Sequence, residues 1–197
     1  MSVKIEDIQK LRSATGAGMM DAKAALEEAN GDYDKAVELM RVKGIAKAEK
    51  KADRTASQGV IQSYVHGEKI GVLVEINCET DFVAKTDDFK TFAGDIAMHI
   101  AATNPLYLNV EAIPASELKK EREVIEKEVV ASGKPKEFAE KIVDGKLGKW
   151  YEEVCLNNQK FIKDDSKTIE QLTKELIGKL GENIVIARFV RFELGVK

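Results

Sequence analysis

The stretch "IGVLVEINCETDFVAKTDDFKTFAGDIAMHIAAT", residues 70–103, changes its apolar period midway, and that change decides the fold. Ile70, Val72, Val74, Ile76 and Cys78 alternate, which puts them on one face of a strand. Phe89, Phe92, Ala93, Ile96, Ala97 and Ile100 then follow helical spacing, the buried stripe of a helix over Thr86 to Thr103. Thr86 is placed to cap that helix, and Asp87 and Asp88 suit the positive end of its dipole. Between the two periods lie Thr80, Asp81, Phe82 and Val83, an acid and an aromatic on a short connection. In one reading Thr80 or Asp81 caps a helical turn, and Phe82 and Val83 fold back onto the strand as a core plug. In the other, Phe89 and Phe92 already fill the following helix face, which leaves Phe82 to project. The pattern leaves both open.

Working outward, Val60 to His66 reads as a strand, and His66-Gly67-Glu68-Lys69 supplies a turn, so an antiparallel hairpin is expected. The segment "NIVIARFVRFEL" (183–194) alternates again and completes the sheet. "PLYLNV" (105–110) reads as a short extended piece. A charged helix runs from Ser116 to Ala131 and ends at Ser132-Gly133. Pro135 can open the next, whose apolar members are Phe138, Ile142, Leu147, Trp150 and Tyr151. Ile169, Leu172, Leu176 and Ile177 stripe a further helix that stops at Gly181.

The N-terminal part is helical throughout. Ile5, Ile8 and Leu11 form one stripe, broken at "SATGAG" (13–18). A second helix through "MDAKAALEEA" stops at Asn30-Gly31. Asp32 caps a third, carrying Tyr33, Ala36, Val37 and Met40 as far as Gly44, and "AKAEKKADR" (46–54) reads as a helical linker. The expected class is α+β: residues 1–54 a three-helix domain with its linker, residues 55–197 a core of antiparallel sheet packed with helices.

A chain 44% hydrophobic and 33% charged is globular in composition, and a net charge of −3 gives no overall basic field for nucleic acid. No signal-like apolar stretch follows Met1, and nothing approaches the roughly 20 apolar residues of a membrane span. Cys78 and Cys155 are too few for a disulfide framework and lack CxxC spacing, so a reducing cytoplasm and buried thiols are expected. His66 and His99 lie in no metal-ligand or catalytic pattern, no phosphate-binding glycine loop is present, and the acids of "LEEA" and "YEEV" belong to solvated helix faces. The sequence therefore predicts no catalytic residue, no bound metal and no cofactor.

Two surface features invite a partner. Lys47, Lys50, Lys51 and Arg54 form a basic run that could touch RNA phosphates, though Glu49 and Asp53 dilute it and no aromatics stand nearby to stack bases. Met19 and Met20, beside the glycine turn, are either core filler or a soft, adaptable contact surface to which Arg12 adds the polar part.

Four stretches in order, "IQKLRSATGAGMMDAKAALEEANGDYDKAVELMRVKG" (8–44), "GVLVEINCETDFVAKTDDF" (71–89), "KIVDGKLGKWYEEVCLNNQKFIKDDSKTIEQL" (141–172) and "GENIVIARFVRFELG" (181–195), resemble the bacterial elongation factor Ts family. The resemblance implies a non-enzymatic guanine-nucleotide exchange factor for elongation factor Tu. It implies a ubiquitin-associated-like N-terminal domain whose Arg12, Met19 and Met20 dock on the partner's nucleotide-binding domain. It further implies that Thr80, Asp81, Phe82 and Val83 form an intruding, magnesium-dislocating wedge. Longer family members duplicate the core and insert a coiled-coil hairpin. This sequence carries one core and resembles the short form, in which a homodimer can supply the second partner contact. "CLNNQ" (155–159) is more polar than the family's usual run there.

Overall fold

The computed structural model describes residues 3–132 and 136–196. The elements are α1 (Ile5–Thr15), α2 (Met19–Glu28), α3 (Tyr33–Glu49), β1 (Gln58–His66), β2 (Ile70–Cys78), α4 (Asp81–Ala84) and α5 (Asp87–Thr103). They continue with α6 (Ala115–Ala131), α7 (Lys136–Val154), β3 (Lys160–Phe161), β4 (Asp164–Thr168), α8 (Ile169–Leu180) and β5 (Ile184–Glu193). β1, β2 and β5 form a three-stranded antiparallel sheet in that spatial order, and β3 pairs with β4 as a separate two-stranded ribbon. The class is mixed α and β with helices at the N-terminus, as the periods predict.

The predicted hairpin turn is present. Gly67 and Glu68 both take positive φ (54° and 61°), and the Lys69 N–H donates to the His66 carbonyl at 3.1 Å. Positive φ at both central residues matches the turn to the right-handed strand twist. Val72, Val74, Ile76 and Cys78 are all buried, as are Phe89, Phe92, Ala93, Ile96, Ala97 and Ile100 on α5. Thr86 caps α5 through its hydroxyl, which accepts from the Phe89 N–H at 3.3 Å.

The chain divides into two compact units. The first comprises residues 1–62, 74–95 and 171–187, and the second residues 63–73, 96–170 and 188–197. In the first, α1, α2 and α3 pack around Ile8, Leu11, Ala22, Ala25, Leu26, Ala36 and Met40. Asp32 caps α3 by accepting the Lys35 N–H at 3.1 Å, and that bond, foremost, lowers its carboxyl from the ordinary value. α3 does not stop at Gly44. It runs on to Glu49, so residues 46–49 of the expected linker are its last turn and a tight turn follows. The close approach there depends on Gly178 of α8, whose Cβ would lie 3.1 Å from the Gly44 Cα, whereas a Cβ on Gly44 would meet nothing within 4 Å. Arg41 of α3 also reaches α8, with Nε 3.2 Å from a Glu175 carboxylate oxygen.

In the second unit α6 and α7 bury Ile125, Val129, Val143 and Leu147 between them. Phe138, expected in that stripe, is exposed. α6 begins one residue before Ser116, and Ser132 is its C-cap; Gly133 and Pro135 lie outside the described residues. "PLYLNV" makes one parallel bridge, Tyr107 with Cys155, and then a single 3-10 turn over Val110–Ala112. His99 is fully buried. Its Nε2 donates to Gln159 Oε1 at 3.0 Å, and its Nδ1 accepts the Ile162 N–H at 3.4 Å, which assigns the neutral Nε2–H tautomer. Burial lowers its pKa, partly offset by the Gln159 bond. Among the described residues no helix is long and apolar enough to cross a membrane.

Candidate functional site

β2 ends at Cys78, and the chain must turn to begin α5 at Asp87. α4, a single turn over Asp81–Ala84, makes the connection. Thr80 caps it, with extended backbone and a hydroxyl that accepts the Val83 N–H at 3.4 Å. Ala84 is buried and Val83 half-buried, so one side of the turn is sunk into the first unit. Phe82 points the other way and is 79% exposed. The choice left open by the pattern is thereby made: the turn is capped as expected, but Phe82 is not a core plug. An exposed phenylalanine leaves about 1.5–3 kcal/mol of burial unused in the free chain, as the exposed Phe192 also does.

Asp81 is also on the exposed side. Its carboxylate lies 2.6 Å from Lys85 Nζ one turn on, and that hydrogen bond and charge hold its carboxyl below the usual carboxylate range. Asp81 is therefore an anion at neutral pH with an exposed counterion.

Thr80 is held from a distant part of the sequence. Glu182 accepts the Thr80 N–H at 3.0 Å through Oε2 and the Thr80 hydroxyl at 2.7 Å through Oε1. In return, Glu79 Oε1 accepts the Asn183 N–H at 2.7 Å. The buried Asn183 side chain donates to the carbonyls of Ala52 (3.2 Å) and Arg54 (2.7 Å). Cys78 beneath the turn donates its thiol to the Thr80 carbonyl at 3.1 Å. Burial pushes that thiol's pKa up, with the Glu182 charge adding to it, and burial does the same to Cys155. Both cysteines are the free, buried thiols expected. Sequence reasoning did not single out Glu182, Asn183 or Glu79. "GEN" before an alternating run marks a strand start, and nothing local signals a contact a hundred residues away.

Arg12, Met19 and Met20 surround the α1–α2 turn. Arg12 is exposed and its carbonyl accepts the Gly16 N–H at 2.8 Å. Met20 is 77% and Met19 40% exposed, so neither is core filler. The turn itself is seated: Gly16 has φ +66°, and a Cβ there would overlap the Lys179 stem at 2.4 Å. Lys179 continues to Asp88, at the start of α5, with 2.7 Å between charged atoms.

The basic run is largely spent on its own fold. Lys47 pairs with Asp21 at 2.7 Å and Arg54 with Glu79 at 3.6 Å. Lys51 is half-buried, and its pKa is lowered by that burial first and by the Arg54 charge next.

A braced turn with an exposed apolar tip is convex, which suits docking on a macromolecule as a concave pocket suits a small ligand. Comparison with known proteins takes the class further, to translation elongation factors. The family model described as Elongation factor TS matches residues 1–196. Elongation factor Ts of Carboxydothermus hydrogenoformans is 57% identical over 189 residues, covering 95% of this chain and 87% of that protein. The proteins of the same name from Acetivibrio thermocellus (54% identical, covering 98% and 90%) and Herpetosiphon aurantiacus (53%, 99% of each) are similarly alike. The chain belongs to the elongation factor Ts family.

Proposed function

We propose that this chain is the guanine-nucleotide exchange factor of elongation factor Tu. It binds the GDP complex, perturbs the partner's magnesium and phosphate site, and leaves a nucleotide-free complex that GTP resolves. The observation that carries the proposal is Phe82, exposed on a turn whose base is tied down by Glu182 and Glu79.

The work required is mechanical and electrostatic. A bound guanine nucleotide depends on a phosphate loop and on a magnesium ion that tolerates little distortion of its octahedral oxygen shell. A wedge that shifts either element forfeits nucleotide affinity without any bond being made or broken, so no catalytic group or cofactor is needed. Phe82 enters a gap between partner helices and recovers the burial it lacks in the free protein. Asp81, an anion beside Lys85, brings negative charge toward the magnesium shell. Thr80 and Val83 fix the turn.

Much of the affinity comes from elsewhere. Residues 1–54 act as the docking module, with Arg12, Met19 and Met20 on the partner's nucleotide-binding domain. Thioethers mould to a surface, and a guanidinium at the rim supplies orientation. With a single core in residues 55–197, a homodimer supplies the further partner contact, in the cytoplasm and with no direct nucleic-acid contact. Sedimentation of the chain with its partner checks this: 2:2 complexes are expected, and strictly 1:1 complexes count against it. The alternative of an RNA-binding or ribosome-associated adaptor is not favoured, because Lys47 and Arg54 are engaged within the fold.

Release of fluorescent GDP from elongation factor Tu tests the wedge. Burial of one phenylalanine is worth about 1.5–3 kcal/mol, so Phe82→Ala should slow release at saturating factor by roughly ten- to a hundredfold with an unchanged circular dichroism spectrum. Wild-type exchange by that variant would return Phe82 to the status of an ordinary surface residue.

A further inference from the structure

The turn that presents Phe82 is held from outside itself, by a reciprocal exchange at the ends of two strands. β2 and β5 are neighbours in the sheet, and their regular segments finish at Cys78 and start at Ile184. Beyond them the backbone N–H groups of Thr80 and Asn183 lose the carbonyl partners that further ladder would supply. Each is met instead by a carboxylate from the opposite segment, Glu182 for Thr80 at 3.0 Å and Glu79 for Asn183 at 2.7 Å. Glu182 does more than replace a carbonyl. Its second oxygen takes the Thr80 hydroxyl proton at 2.7 Å, while that hydroxyl still caps α4 by accepting from Val83. Thr80 is thus fixed at both backbone and side chain, and both bonds to Glu182 are charge-assisted, about twice as strong as neutral ones.

We infer that Glu182 is a positioning residue for nucleotide exchange, clamping Thr80 so that α4 transmits force to Phe82 instead of yielding. The inference rests on the reading of Phe82 as the exchange element. Glu182 is half-buried at the base of the turn, whereas Phe82 stands at its exposed tip. A clamp behind the tip contributes little to docking but decides how stiffly the tip is presented. Its loss therefore separates two quantities that a general loss of structure would change together: the maximal release rate falls and the half-saturating factor concentration does not.

The experiment titrates the full-length factor against elongation factor Tu loaded with fluorescent GDP, using wild type, Glu182→Ala, Glu182→Gln and Phe82→Ala. Amide hydrogen exchange over residues 80–84 of the free factor is followed in parallel. Glu182→Ala should lower the maximal rate about fivefold or more, keep the half-saturating concentration within about twofold, and speed amide exchange at Thr80 and Val83 about tenfold. Glu182→Gln, whose oxygen can accept the Thr80 N–H and whose amide can face the hydroxyl, should restore most of the rate. A wild-type maximal rate for Glu182→Ala alongside a slow Phe82→Ala overturns the clamp and leaves the wedge standing. Wild-type rates for both overturn the wedge reading itself. Should alanine at position 182 cost the fold, Glu182→Asp takes its place, with a carboxylate too short to hold both Thr80 atoms and the same split expected. A half-saturating concentration that rises with no change in maximal rate makes Glu182 a docking residue and contradicts the inference.

Discussion

His99 illustrates how far a single residue's chemistry follows from its surroundings. Its place outside any catalytic pattern predicts a structural role, and it is fully buried, with Nε2 as donor to Gln159 and Nδ1 as acceptor from Ile162. Protonating Nδ1 would turn an acceptor into a donor facing another donor, which agrees with a pKa lowered from 6.5 by burial. The folded state therefore stays neutral where the unfolded chain takes up a proton. The resulting stability is fully present above pH 6.5 and is lost as the pH falls below that value. Urea unfolding between roughly pH 7.5 and 5.5 should show stability declining toward acid, and His99→Gln should flatten the slope. An equal slope in that variant would place its origin in other groups. Phe82 is the opposite case. Its side chain is legible in the sequence as an aromatic between two periods, but its direction is not, because a capped turn serves a buried and an exposed phenylalanine equally well.

At the level of elements, the alternating runs of β2 and β5 and the stripe of α5 are readable because each buries one face, and burial imposes a period. β3 and β4 are not. "DDSKT" carries no apolar alternation, and β3 is only two residues long. The end of α3 differs from its predicted place for a more instructive reason. A glycine inside a helical pattern reads as a stop, but Gly44 lies inside α3, and it is the missing Cβ of Gly178 that lets α8 come close. The pair makes an asymmetric prediction. Gly178→Ala pushes a methyl against the Gly44 backbone at 3.1 Å, and backbone cannot step aside. A loss of about 1–3 kcal/mol is expected. Gly44→Ala places its Cβ in open space and should gain up to about 1 kcal/mol of helix propensity. Thermal unfolding of the two variants reads the difference. Equal midpoints would mean that α3 and α8 do not approach as closely as described.

For the whole molecule, the family can be read from the sequence, as can the turn proposed here as the site, and the support behind that turn cannot. Glu182 and Asn183 lie more than a hundred residues from the turn they brace, and such pairing leaves no mark in local spacing. The first compact unit contains both the N-terminal helices and the α4 turn, assembled from three separated segments. In the mechanism proposed above, docking residues set affinity, while Phe82 sets how strongly the factor and GDP exclude one another. Linkage makes that exclusion reciprocal, so it is measurable from the factor's side alone. The most direct measurement is the ratio of the factor's dissociation constants for GDP-bound and nucleotide-free elongation factor Tu, in wild type and in Phe82→Ala. The wild-type factor should bind the nucleotide-free form far more tightly, and Phe82→Ala should shrink that ratio by roughly tenfold or more, the equivalent of one lost phenylalanine burial. An unchanged ratio in Phe82→Ala, with both affinities shifted together, would contradict the wedge and make Phe82 one docking contact among others.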